Sequence, residues 1–155
     1  MSNLQIIENQ ISYIIKHLEV AESYKTYSLK DLETNLMIRS AVERELYIVA
    51  QAVIDLAEAV VAYKNFRKPT TMREALDILG EEKIIPNEFL ADFHKIVGFR
   101  NALAHDYHDL RVDVVYDVLQ NNLPQVKKFI SYVKAAIWKF LLIARILADF
   151  EKWLS

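Results

Sequence analysis

Hydrophobic positions along this chain recur at steps of three and four residues, the spacing that places side chains on one face of an α-helix. The first such segment runs from about Leu4 to Ser23. The second, from about Leu29 to Tyr63, is apolar on two sides and must therefore cover two neighbours. One neighbour can lie within the chain, and the other can be a second copy of it.

Capping and helix-breaking residues predict the later elements. Thr71 can cap a short helix for which Gly80 is the stop signal, and Pro86 can occupy the first turn of the next helix. The expected ranges are 71–79, 86–104, 113–119 and 123–153. No strand pattern competes with these helices. The sequence predicts an all-α, up-and-down bundle of about five or six helices, forming a single domain over residues 1–155.

The C-terminal segment 135–155 is predicted as an apolar helical extension of this domain. It carries more hydrophobic side chains than a free tail should show. It can pack back on the body, cover a partner or lie on a membrane. We favour these options in that order, because Lys139, Arg145 and Lys152 do not form a clear basic face.

Composition narrows the class of protein. Hydrophobic residues make up 53% of the chain, with only 2 Gly and 3 Pro, which suits long helices and argues against disorder. There is no cysteine, and the N-terminus lacks the basic start and apolar run of a signal peptide. We therefore expect a cytoplasmic protein without a membrane span. Because the net charge is −2, any contact with nucleic acid must be local, in a cleft.

One arginine breaks the hydrophobic pattern. Arg100 occupies a position that the four-and-three repeat of its helix assigns to a hydrophobic residue. A guanidinium on such a face costs several kcal/mol unless it is paired or opens onto a cleft. Glu43 and Asp55 are candidate partners from the second helix. The alternative, which we favour for each charge, is that they form surface pairs with residues four positions away.

The residues around Arg100 have the chemistry for RNA cleavage. Asn101 and His105 share one helix face, and Arg100 and Tyr107 share the adjoining one. A histidine can act as general acid or base while an arginine stabilises the charged phosphorane formed by 2′-hydroxyl attack. No metal or cofactor is needed, and His105 with His108 does not complete a metal-binding pattern. Judged by residue type alone, a hydrogen-bonded cluster or helix cap is the commoner explanation.

The order Arg100-Asn101-x-x-x-His105-x-Tyr107, after an apolar helix and Gly98-Phe99, resembles the HEPN superfamily of helical nucleases. It is most similar to the HepT toxin branch, whose signature is R-x-x-x-x-H-x-Y. The resemblance covers about residues 6–133 and includes charged positions of the preceding long helix. Those positions are Arg39, Glu43, Arg44 and Asp55.

The resemblance implies a ribonuclease toxin of a type VII toxin–antitoxin system. HepT-like toxins are encoded beside a minimal nucleotidyltransferase, MntA, and form homodimers whose motif helices face each other across a cleft. By this resemblance Arg100 and His105 are catalytic, Asn101 supports them, and Tyr107 receives AMP from the antitoxin. AMP beside Arg100 would block RNA by charge and bulk. Alternatively, the Tyr107 hydroxyl only orients His105.

Two other functions remain open from the sequence. A non-catalytic HEPN module could use the same arginine and histidine to hold a nucleotide or RNA beside a nucleotidyltransferase partner. A helical interaction protein could use the cluster as a hydrogen-bond network at a dimer interface.

Overall fold

The computed structural model describes residues 2–105 and 110–155, and all regular secondary structure in these ranges is helical. The all-α prediction is confirmed. The helices are α1 (Asn3–Ser23), α2 (Leu29–Thr34), α3 (Leu36–Tyr63), α4 (Met72–Glu81), α5 (Asn87–Phe93), α6 (Lys95–His105), α7 (Val112–Asn121) and α8 (Leu123–Leu154), with a short 3₁₀ turn at Tyr24–Thr26.

Helix α3 is the central element of the bundle. Helix α1 packs along it, and α2, α4, α6 and α7 pack against its other sides. Its two apolar sides are therefore covered within one chain. By length and composition α3 is the one helix of the described residues that could cross a membrane, but 56% of its most apolar window is buried inside this bundle. Its hydrophobicity is that of a core helix.

The predicted second helix is divided at Asn35. This residue has an extended backbone, with φ −121° and ψ 99°, which ends α2 and begins α3. Its side-chain oxygen accepts hydrogen bonds from the backbone N–H groups of Met37 and Ile38 at 3.1 and 3.2 Å. Asparagine is among the preferred N-capping residues, so the sequence contained this signal.

The predicted 86–104 helix is likewise divided, at His94. The His94 ring lies 3.0 Å from Asp77 of α4, and the Val97 N–H bonds to the His94 carbonyl, as in a tighter 3₁₀ turn. The break separates α5, which packs on α4, from α6, which packs on α3 and carries the described motif residues.

The prediction that Gly80 ends its helix is wrong. Gly80 lies inside α4, and the chain reverses later, where Lys83 adopts a positive φ of 57°. A Cβ atom at Gly80 would lie 2.6 Å from Leu90 Cδ2 and 3.2 Å from Asn87 Oδ1. Glycine is present because α4 and α5 approach each other closely at this point.

We expect Gly80→Ala and Gly98→Ala to change stability in opposite directions. A Cβ atom at Gly98 meets nothing within 4 Å, so alanine there should stabilise α6 by about 0.5–1 kcal/mol. At Gly80 the same helical gain is opposed by overpacking against Leu90 and Asn87, which costs about 1–3 kcal/mol. In urea unfolding, Gly98→Ala should therefore have a higher free energy of unfolding than Gly80→Ala. The reverse order would contradict the close approach of α4 and α5.

Helix α8 extends well past the body. Its first part contributes buried residues to the core, the last of them Ile137 at 8% exposure. Every residue from Trp138 onward is exposed. The favoured prediction, that this segment packs back on the body, is wrong. Beyond the contact of Phe140 with Tyr63, the other described residues leave this part of the helix uncovered.

Candidate functional site

The candidate site lies where the last two turns of α6 cross the middle of α3. Val97 and Leu103 fix α6 by burying their side chains in the core. Arg100 and Asn101 are half-buried against α3, and His105 is exposed at the end of the helix. Arg100 and Asn101 contact each other, and Asn101 shares its helix face with His105, four residues later.

Arg100 is held by hydrogen bonds on all sides of its guanidinium group. Its Nε donates to Gln51 Oε1 at 2.6 Å, and its two terminal nitrogens donate to Asn101 Oδ1 at 3.2 Å and to the Tyr47 hydroxyl at 3.4 Å. Its Cζ also lies 5.4 Å from the centre of the Tyr47 ring. Because these partners are neutral, they fix the cation without cancelling its charge.

The carboxylates proposed as partners bind elsewhere. Glu43 accepts from Arg39 at 2.8 Å, and Asp55 accepts from the Gln51 amide nitrogen at 2.8 Å. Among the described residues no carboxylate forms an ion pair with Arg100. The alternative that these charges interact four positions away on their own helix is therefore correct. Asp55 still reaches the site indirectly, because its bond to Gln51 turns the amide oxygen toward Arg100.

A second cation stands beside this cluster. The exposed Arg44 has its Cζ 5.8 Å from the centre of the Tyr47 ring, so Tyr47 is contacted by both Arg44 and Arg100. Arg44, Tyr47 and Gln51 lie on one polar strip of α3. Beyond Gln51 the charged residues of α3 are acidic, Asp55 and Glu58. There, partial burial and the neighbouring Asp55 raise the pKa of Glu58. An anionic ligand is therefore favoured at the Arg44 end of the strip.

Tyr47 and Gln51 are site residues that the sequence analysis missed. With Arg44 and Asp55 they follow the three-and-four spacing of one helix face. A continuous polar strip on a helix that is otherwise apolar on two sides was the available signal.

The predicted modification site falls outside the described chain. Tyr107 and His108 belong to residues 106–109, so the AMP-acceptor role of Tyr107 remains a prediction. Within the described ranges, no group of His, Cys, Asp and Glu is arranged to hold a metal ion.

The model of the family described as "Ribonuclease HepT-like" matches residues 14–133. This chain belongs to the HepT-like ribonuclease family. The matched range contains α3, α6 and their contacts around Arg100, and it ends before the exposed part of α8.

Individual HepT relatives agree with this assignment. The mRNA nuclease HepT of Shewanella oneidensis is 29% identical over 98 residues, covering 63% of this chain and 74% of its own. The tRNA nuclease HepT of Aphanizomenon flos-aquae is 26% identical over 137 residues, covering 87% of this chain and 93% of its own. A solved structure of a tri-AMPylated Shewanella oneidensis HEPN toxin in complex with an MNT antitoxin matches with a TM-score of 0.77. It is 25% identical and covers 84% of this chain and 97% of its own.

Proposed function

We propose that this chain is the toxin of a HepT/MntA toxin–antitoxin pair and cleaves RNA internally without a metal ion. Membership of the HepT-like ribonuclease family supports the activity. The observation that carries the proposal is the geometry of Arg100, a cation fixed by neutral partners and bonded to Asn101, which lies about one helical turn from His105. This arrangement offers positive charge to a phosphate together with a group that can move protons.

The reaction that fits these groups is attack of a ribose 2′-hydroxyl on the adjacent phosphorus. The new bond joins the 2′-oxygen to phosphorus, and the bond from phosphorus to the 5′-oxygen breaks. A His105 imidazole takes the 2′-hydroxyl proton or delivers one to the departing 5′-oxygen. Arg100 stabilises the extra negative charge of the phosphorane. The products are a 2′,3′-cyclic phosphate and a 5′-hydroxyl end.

A homodimer supplies the second proton-transfer group that the reaction requires. One imidazole accepts a proton as another donates one, and two copies of the chain bring two His105 side chains to a shared cleft. The exposed position of His105 at the end of α6 supports this arrangement, since a second copy can approach it. Asn101 supports Arg100 within each copy through its side-chain oxygen.

Neutralisation is proposed to act on Tyr107. The solved Shewanella toxin is tri-AMPylated and bound to an MNT antitoxin, and the family motif places a tyrosine at this position of the present chain. We propose an MntA-like nucleotidyltransferase as the partner. Each AMP would add negative charge near Arg100 and compete with RNA for the cleft. We place the pair in the cytoplasm, and we treat residues 1–155 as one domain with an apolar extension.

The product ends of RNA cleavage test this function. Purified full-length protein should cleave a defined RNA and leave 2′,3′-cyclic phosphate ends. His105→Ala should slow this cleavage by about 10²–10⁴-fold, the usual contribution of a general acid or base. Equal cleavage by both proteins would exclude His105 as a catalytic residue. Binding of RNA without cleavage by either protein would instead favour the non-catalytic HEPN module.

We expect Gln51 to act as a positioning residue for Arg100. Gln51→Leu removes the acceptor at 2.6 Å from Arg100 Nε and should lower the maximal rate by about 10²-fold, as small misplacements of catalytic groups do. Asp55→Asn keeps an oxygen that can accept from Gln51, so it serves as the matched control. Single-turnover rates, measured beside thermal unfolding, check the prediction. An unchanged rate for Gln51→Leu would remove Gln51 from the site.

A further inference from the structure

The C-terminal half of α8 is a surface that the ribonuclease site does not use. We call residues 138–155 the tail. It continues α8 for about 25 Å beyond Ile137, at a rise of about 1.5 Å per residue. Its base is anchored by Phe140, whose ring lies 5.6 Å from the Tyr63 ring and 4.2 Å from the Lys64 ammonium group. The tail therefore leaves the body in a defined direction.

The tail exposes more apolar surface than an unpartnered helix carries. Ten large hydrophobic residues are between 38% and 79% exposed: Trp138, Phe140, Leu141, Leu142, Ile143, Ile146, Leu147, Phe150, Trp153 and Leu154. At about 200 Å² for each large side chain, they expose on the order of 1,000 Å² around the helix, about half of it on Phe140, Ile143, Leu147, Phe150 and Leu154. The largest apolar patch of a monomer is typically about 300–600 Å², whereas a stable interface buries about 800 Å² on each partner.

The hydrophobic residues of the tail repeat as in a coiled coil. Steps of four and three residues join Ala136, just before the tail, to five apolar tail positions on the same face: Phe140, Ile143, Leu147, Phe150 and Leu154. We call this face the seam. The opposite side carries Arg145, Ala148 and Lys152, with Trp138 and Leu141 nearer the base of the tail. A seam of this spacing fits another helix with the same spacing.

We propose that the tail pairs in antiparallel fashion with the tail of a second copy of this chain. In an antiparallel pair the two helices run in opposite directions, so a seam residue near the start of one tail faces a seam residue near the end of the other. This brings Phe140 opposite the second copy's Phe150, Ile143 opposite its Leu147, and Ala136 opposite its Leu154. Every contact joins two apolar side chains, and the same register brings Lys139 beside the other copy's Trp153, where a cation–π contact forms.

The charges of the tail favour a second copy over a membrane surface. Lys139, Arg145 and Lys152 are accompanied by Asp149 and Glu151, so the polar side carries both signs. Helices that lie on membranes have a strongly basic polar face. The family match also ends before the tail, so the tail adds to what the HepT-like fold itself provides.

The proposal does not depend on the ribonuclease site. The tail begins near Tyr63 at the end of α3, about 18 Å along that helix from Gln51. Substitutions in the seam can therefore be judged by assembly alone, whether or not the protein cleaves RNA.

The mass of the assembly tests the pairing, measured by sedimentation or light scattering across a dilution series. Leu147→Lys places a charge in the seam of both copies and should raise the dissociation constant of the tail-dependent step by roughly 100-fold or more. Ala148→Lys adds the same charge one residue away, on the opposite side, and should leave assembly unchanged. Equal assembly by Leu147→Lys and the parent protein would overturn the proposal. So would a Leu147→Lys defect confined to binding of phosphatidylserine vesicles or of the antitoxin.

Disulfide formation tests the direction of the pair, and the chain contains no native cysteine to interfere. Co-expressed Ile143→Cys and Leu147→Cys chains should cross-link to each other, while neither variant alone should cross-link to itself. Self-cross-linking of the single variants would show a parallel pair and overturn the antiparallel register. Absence of any cross-link would overturn the pairing itself.

Discussion

Replacing Arg100 with alanine is expected to reduce RNA cleavage by about 10³-fold or more, because arginines that stabilise a phosphoryl transition state contribute that much. The variant loses the guanidinium that Gln51, Asn101 and Tyr47 hold in place. Arg100→Lys keeps a positive charge but cannot bind all three partners at once, so it should recover only part of the rate. Initial rates on one defined RNA, with unfolding temperatures for each variant, measure the effect.

Arg44→Ala is the matched control for Arg100→Ala. It removes the same charge from the same surface, but Arg44 is exposed and reaches the cluster only across the Tyr47 ring. It should weaken RNA binding and leave the maximal rate nearly unchanged. If Arg100→Ala behaved like Arg44→Ala, Arg100 would be a binding residue rather than a catalytic one.

Tyr107→Phe is expected to uncouple toxicity from neutralisation. The phenol oxygen is the atom that would receive AMP, so phenylalanine leaves the antitoxin without an acceptor. Cells that express this variant together with the antitoxin should remain inhibited, whereas cells with the parent pair should grow. Mass spectrometry should show adenylyl groups on the parent protein and none on the variant.

Tyr116→Phe removes the phenol oxygen of a half-buried tyrosine on α7 and serves as the control. It should be neutralised as well as the parent protein. Full neutralisation of Tyr107→Phe would show that AMP is carried elsewhere. Loss of RNA cleavage by Tyr107→Phe would favour the alternative that the hydroxyl orients His105.

Helical periodicity was sufficient to predict the fold but not where helices divide. The repeat of α1 predicts its range to within a residue, because a single apolar face is buried along its whole length. Across Asn35 the repeat continues although the helix does not, since a capping side chain changes the backbone without disturbing the hydrophobic spacing. Gly80 was assigned as a stop because a close approach between α4 and α5 cannot be read from spacing.

The candidate site was predictable where it depended on one helix. Arg100 stood out because it broke the repeat of α6, and the structure places it half-buried with a hydrogen bond to Gln51. The partners of Arg100 could not be predicted in this way, because they depend on which side chains of α3 face α6. Opposite charge suggested Glu43 and Asp55, whereas one partner is Gln51. The C-terminal segment was predicted to pack on the body of the bundle, because its apolar surface was expected to be buried within one chain.

Cleavage by His105→Ala and the parent protein in EDTA tests the central claim most directly. We expect the parent protein to keep its rate when divalent metal ions are removed, because Arg100 provides the positive charge and His105 moves the protons. His105→Ala should stay slower by the same factor with or without EDTA. Loss of the parent activity in EDTA, restored by adding magnesium, would contradict metal-independent cleavage.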